Sequence, residues 1–323
     1  MGNTKAPVPI PARPGNRLKS RILPNWLKKT LRSSGAAVVL DRLRLTRARI
    51  VTHGLSRDRV FEQSAEDKLA SAAMSIIVPI RDAPLVTHRC LASLERYASE
   101  ADIILVDDGS KLPATLATIK EYSERNEWKV ISNQTSTGHS AACEAGAKLA
   151  SQPYLCLLNS DTVITPWCWL PILEAFETDP MVGVAGPRTS RSTNRQTLAV
   201  AHDCRFEWND SQICSYADRL RRASMLSPFI DLPWAAGFAF FIRLTLWQQL
   251  GGFDRNLADY GNELDLCKRV SKRGYRIVCA RRSYIHHLAA QSYGQLMSED
   301  EIQKRKSVGV QYVRQKHKVS NGW

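Results

Sequence analysis

Acids follow three separate apolar runs in this chain. The runs 74–79, 101–106 and 154–158 lead into Arg81-Asp82, Asp107-Asp108 and Asn159-Ser160-Asp161. Farther on, Glu263 and Asp265 stand two residues apart, and His286 and His287 are adjacent. Turns favour Asn, Ser and Asp, so any one of these endings reads as an ordinary strand-to-helix turn. Glu263 and Asp265 also suit the first turn of a helix, where carboxylates complement the dipole. Several acidic turns along one sheet edge point instead to a shared polar ligand. Carboxylate and carbonyl oxygens suit Mg2+ or Mn2+, and Asp161 could supply one of them. A lone His after the last strand would read as structural, but two in a row beside a metal edge favour one as a ligand.

The elements that must hold these groups alternate in type. Strand-like runs at 74–79, 101–108, 128–132 and 154–159 are separated by helical stretches at 85–98, 112–126 and 138–151. Such alternation predicts an α/β fold with a mostly parallel sheet and helices on both faces. In these sheets ligands bind beyond the carboxyl ends of the strands, where the acids stand. The stretch 189–228 is polar with little periodicity and reads as a long excursion. Apolar strand, glycine turn and short helix return over 231–254. A helix starts within 259–274, and a strand at 275–285 leads into the histidines.

Several chemistries lose their main support. The chain has no Gly-x-Gly-x-x-Gly, no Gly-x4-Gly-Lys-Ser/Thr and no His-Glu-x-x-His, and Gly138-His139-Ser140 lacks the second glycine of a nucleophile elbow. Without a basic phosphate loop, a bound diphosphate calls for a divalent cation. None of the eight cysteines forms a Cys-x-x-Cys pair, so they read as small buried hydrophobes of a reducing compartment.

The net charge of +14 is uneven. Residues 1–60 hold 14 of the 45 Lys/Arg and only two acids, Asp41 and Asp58, so +12 belongs there and +2 to the rest. Within 13–51 basic residues interleave with Trp26, Leu27 and other apolar side chains, a pattern that fits an anionic membrane surface. A solvated basic helix is the plainer reading, and nucleic-acid binding has no supporting motif. The chain contains no run of 18 apolar residues and no secretory apolar block. These features predict a cytoplasmic protein, peripheral on the inner face of the cell membrane.

The order of motifs resembles the family-2 glycosyltransferases of the GT-A fold, especially the rhamnosyltransferase-like enzymes of bacterial surface polysaccharides. The matching stretches are SIIVPIRD, VDDGS, NQTSTGHSAACEAG, LLNSDTVITPWCW, VGVAGPR, GFAFFIRLTLWQQLGGFD, YGNELDLCKR and YIHH. The resemblance covers about residues 74–294. It implies three regions: a basic extension 1–72, a GT-A domain 73–298 with a smaller antiparallel acceptor side, and a basic C-terminal helix 299–323. It also implies an inverting transfer from a UDP- or dTDP-sugar to a glycan or lipid-linked acceptor.

Residue roles follow from the same resemblance. Asp107 and Asp108 correspond to acids that contact uracil and ribose, with Pro79, Asp82 and Gly138 beside the nucleotide. Asn159 and Asp161 occupy the metal motif, so Asp161 is the expected ligand for Mg2+ or Mn2+. His287 is the expected further ligand, with His286 as the neighbouring candidate. Glu263 stands at the catalytic base, with Asp265 as the alternative. Trp234 and Gly237 are expected near the acceptor, and Arg188, Arg191 and Arg195 could meet a lipid-linked diphosphate or remain solvated. The chain departs from the pattern at Asn159, Asp82, Arg81, Cys143 and Asn262. Those departures keep two rivals open: a catalytically impaired nucleotide-sugar-binding module, and a membrane- or nucleic-acid-binding protein acting through its basic segment.

Overall fold

The computed structural model describes residues 61–190, 192, 194–197, 208–223, 225–288 and 298–318. The basic stretch 1–60, including the expected membrane-facing segment, lies outside the described residues.

In chain order the elements are α1 (Ala65–Ala72), β1 (Met74–Ile80), α2 (Pro84–Tyr97), β2 (Asp102–Asp108), α3 (Pro113–Asn126), β3 (Lys129–Asn133) and α4 (His139–Ala147). Next come β4 (Tyr154–Leu158), β5 (Thr162–Val163), α5 (Leu170–Glu177), β6 (Val182–Arg188), α6 (Asp210–Arg222) and β7 (Phe229–Asp231). The series ends with β8 (Ala239–Arg243), α7 (Leu244–Leu250), α8 (Asn262–Lys272), β9 (Arg276–Tyr284), β10 (His286–His287) and α9 (Glu299–His317).

Among the described residues, eight strands form one sheet in the order β3-β2-β1-β4-β8-β6-β9-β7. The first four run parallel, with Val78 opposite Leu105 and Ile77 opposite Leu157. β8 then runs antiparallel between β4 and β6, and β7 antiparallel on β9. The central strands are buried on both faces, which explains their unbroken apolar runs. One core layer holds Leu91, Leu94, Trp169, Phe176 and Phe241; the other holds Phe240, Trp247, Phe253, Leu266 and Val270. Each such side chain, fully buried, contributes about 1.5–3 kcal/mol. β5 and β10 form a separate antiparallel ribbon.

Local chemistry starts the helices. Prolines open α2 and α3, where a missing N–H costs nothing. Ser64 caps α1 by accepting from the Asp67 N–H.

Two boundaries differ from expectation. α1 was expected in the extension, yet Asp67 is buried and accepts the N–H groups of Trp167, Trp169 and Leu170, while Phe61 packs edge-on against Trp167. Residues 61–72 therefore pack on the core. The stretch 189–228, expected as an excursion, contains α6. A capping box of Asn209 and Gln212 starts that helix, and Ile213, Tyr216, Ala217 and Leu220 form its buried stripe. The surrounding Arg and Asp residues hide this periodicity in the sequence. Among the described residues, no helix is long and apolar enough to cross a membrane. The seven cysteines described are free and buried.

Candidate active site

The β5–β10 ribbon brings Asp161 and a histidine together. His287 pairs with Thr162, the Leu288 N–H donates to the Asp161 carbonyl, and His287 Nε2 lies 3.4 Å from Asp161 Oδ1. Adjacent residues of a strand face opposite sides, so the same register turns His286 away. Its Nδ1 is 2.9 Å from the Tyr284 hydroxyl, and its ring stacks on Trp208. Burial, with Arg89 and His287 nearby, pushes His286 down to about 3, so it is neutral at ordinary pH.

The donor set is one carboxylate and one imidazole, both largely buried. Among the described residues, no group of three or more His, Cys, Asp or Glu is placed to hold a metal. Two protein ligands nevertheless fit Mg2+ or Mn2+, which keep waters and take substrate phosphate oxygens in the remaining positions.

Glu263 lies in the first turn of α8, half-buried. A Cβ at position 237 would collide with Glu263 Oε1, so the absent side chain of Gly237 is the space the carboxyl occupies. Burial pushes that carboxyl up to about 7, where it exchanges protons near neutrality. The next residue, Phe238, stacks on His287 with centroids 5.2 Å apart, and its carbonyl accepts the Asn159 N–H. The dipeptide Gly237-Phe238 thus joins the Glu263 carboxyl to the Asp161–His287 pair.

Asp265 does not share this surface. It is fully buried and bonded to Arg269, Lys316 and His317 at 2.7–2.8 Å. Burial alone would raise its carboxyl, but these partners hold it below the usual range. Both of its oxygens are engaged by these partners, on the side of α8 away from Gly237.

The expected nucleotide residues divide in the same way. Pro79 is half-buried opposite Val106, near the carboxyl end of β1. Asp107 accepts the Ser110 N–H at 2.9 Å through Oδ1. Asp108 is filled by Asn133, Ser136, Thr137 and the Gly138 N–H, and these bonds outweigh burial to hold its carboxyl low. These bonds fasten the 133–138 loop to the end of β2. Asp82 Oδ1 accepts the N–H groups of Lys111 and Leu112, each at 2.8 Å, and so closes the loop after β2. Gly138 N-caps α4. Asn159 directly follows β4, and its carbonyl accepts from Thr162 at 2.8 Å.

On the acceptor side, Trp234 packs partly buried on the second core layer, and its carbonyl accepts from Asn194. Gly237 makes room for the Glu263 carboxyl. Arg188 is buried, not solvated; Arg195 is half-buried; Arg191 lies outside the described residues. Phe238 was not singled out in the sequence. Within GFAFF it reads as one more strand residue, and only the packing distinguishes it.

A family model described as "Glycosyl transferase family 2" matches residues 75–243, more than half of the chain. The chain is 26% identical over 229 residues to "O-antigen biosynthesis protein RfbC" of Myxococcus xanthus, covering 67% of this chain and 17% of that protein. It is 31% identical over 84 residues to "Poly-beta-1,6-N-acetyl-D-glucosamine synthase" of Staphylococcus epidermidis, covering 26% of this chain and 20% of that one. The match therefore spans a fifth or less of each of these two relatives. A crystal structure of GalNAc-T7 with UDP, GalNAc and Mn2+ superimposes with a TM-score of 0.51 at 16% identity, covering 88% of this chain and 56% of that chain. That likeness supports the GT-A fold. By the family match, the chain belongs to glycosyl transferase family 2.

Proposed function

We propose that this protein is an inverting glycosyltransferase that moves a sugar from a UDP- or dTDP-type donor to a hydroxyl of a glycan or lipid-linked acceptor. The observation that carries this reading is the Gly237-Phe238 link, which sets a carboxyl poised near neutrality beside a carboxylate–imidazole pair. Asp161 and His287 would hold Mg2+ or Mn2+, which when bound neutralises charge on the departing diphosphate.

Glu263 takes the proton of the acceptor hydroxyl. The freed oxygen forms a bond to the anomeric carbon from the face opposite the diphosphate. The bond from that carbon to the diphosphate oxygen breaks, and its electron pair leaves with the nucleoside diphosphate. A single displacement inverts the anomeric centre. Pro79 and Asp107 would meet the nucleotide base and ribose, with Asp82, Asp108 and Gly138 shaping the loops around them. Relatives named for O-antigen and poly-N-acetylglucosamine synthesis support a surface-polysaccharide acceptor.

An intact Asp161–His287 pair and a raised Glu263 favour an active enzyme over an impaired binding module. A panel of UDP-, dTDP- and GDP-sugars tests this reading. Thermal stabilisation by one of them that needs Mn2+, with release of the nucleoside diphosphate, is expected. Stabilisation without release supports the binding module instead.

The two histidines give a separate prediction. His287→Ala should weaken Mn2+-dependent UDP binding by about 10-fold or more, the scale of losing a group that tunes a metal site. His286→Phe should leave it within about twofold, because that ring faces the aromatic cluster rather than Asp161. Calorimetric titration of both proteins checks the pair.

A further inference from the structure

We propose that α9, the C-terminal helix, is a positioning element for Glu263: it fixes the first turn of α8 and so the place of the proton acceptor. The proposal rests on Glu263 being the base.

The argument starts from two glycines. Gly261 precedes α8 with φ +91°, a conformation that side chains rarely adopt. A Cβ there would lie 2.9 Å from the Gly309 carbonyl oxygen, and a Cβ on Gly309 would collide with the Tyr260 carbonyl. Two backbones therefore touch two residues before Glu263, and neither position has room for a side chain.

Ionic contacts lie on both sides of this crossing. Arg305 of α9 bonds Asp259 at 2.9 Å, just before the glycine. Lys316 reaches Asp254 and Asp265, each at 2.7 Å, and His317 reaches Asp265 at 2.8 Å. Tyr312 donates to Asp254. These partners lie between residues 254 and 265, the stretch that leads into α8 and forms its first turn. Glu263 sits inside it.

The magnitudes favour a positioning role. Asp265 has no exposed surface, and a buried carboxylate is costly without partners; Arg269 of α8 supplies one, and Lys316 and His317 of α9 bond the other oxygen, so α9 helps to hold the α8 turn. Misplacing a reacting group by about 1 Å costs roughly 10²-fold in rate. The Asp161–His287 pair is held by the β5–β10 pairing and by the Leu288 N–H on the Asp161 carbonyl, so loosening α9 should spare the metal-dependent part of UDP binding.

The test uses the full chain with Gly309→Val, Lys316→Met and Lys316→Arg. Turnover is read as nucleoside diphosphate release from a sugar nucleotide that the parent protein cleaves. Binding is read as UDP with Mn2+ by calorimetry, and amide exchange is followed over residues 261–265. Gly309→Val and Lys316→Met should lower kcat about 10- to 100-fold, leave donor KM and UDP affinity within about twofold, and speed exchange at 261–265. Lys316→Arg, which keeps charge and reach, should restore kcat. If Gly309→Val does not fold, the two Lys316 proteins carry the test.

Unchanged kcat, unchanged exchange, or a parallel loss of UDP affinity each overturns the proposal. A Glu263→Gln control separates the two readings. If it turns over normally, the base assignment fails. If it is inactive while the α9 variants are fully active, only the positioning role fails.

Discussion

Glu263→Gln is expected to bind UDP and Mn2+ as the parent does and to lose turnover by roughly 10²–10⁴-fold. Gln fills the same space beside Gly237 but cannot take a proton from a hydroxyl. The parent rate should rise with pH through about 7 as the carboxylate forms, because burial holds the carboxyl there. The same shift affects stability. The folded state keeps this proton between the ordinary carboxyl value, 4.5, and about 7, while the unfolded chain has lost it. Stability therefore falls as pH rises through that window and stays lower above it. Gln removes the penalty, so the variant should be more stable than the parent above pH 7, by on the order of 1–3 kcal/mol. Below pH 4.5 the gain should vanish. Steady-state rates and melting curves at pH 5 and pH 8 measure both effects. Near-parent turnover would remove the base role, whatever the melting curves show.

Asp161→Ala should abolish the Mn2+ dependence of nucleotide binding. The pair offers only two side-chain ligands, and Asp161 supplies the only negative charge between them. Losing it leaves a single imidazole, which suits Mg2+ poorly. Tight UDP binding should fall by at least about 10²-fold in the presence of Mn2+, while the weaker metal-free affinity stays the same. A titration in which Asp161→Ala retains the parent's Mn2+-linked affinity would place the cation elsewhere. The fold should survive, since the ribbon at this position is held by main-chain pairing of Thr162 and Val163 with His287 and His286.

Much of this molecule is legible in its amino-acid order. Strand and helix alternation and the acids at strand ends are local patterns, set by side-chain periodicity and turn chemistry within a few residues. They are enough to place β1, β2 and β4 in one parallel sheet, with Asp107 and Asp161 near its carboxyl edge. α6 escapes because its buried stripe is a minority among charged neighbours. α1 escapes because Asp67 finds its partners some hundred residues away, at Trp167, Trp169 and Leu170.

Choices between neighbours are settled only in three dimensions. Glu263 and Asp265 are two residues apart on a helix, so they point about 200° apart and cannot serve one surface. Sequence leaves open which of them meets the substrate edge. Within the fold, Arg269, Lys316 and His317 bond Asp265, while Gly237 leaves room for the Glu263 carboxyl. His286 and His287 are separated by the register of a two-residue ribbon. Asp82 and Asp108 are motif-like acids, yet Oδ1 of Asp82 and both oxygens of Asp108 accept backbone N–H groups of nearby loops. Local sequence reports what a residue can do; the partners that reach it across the fold decide which of those capacities is left for the ligand.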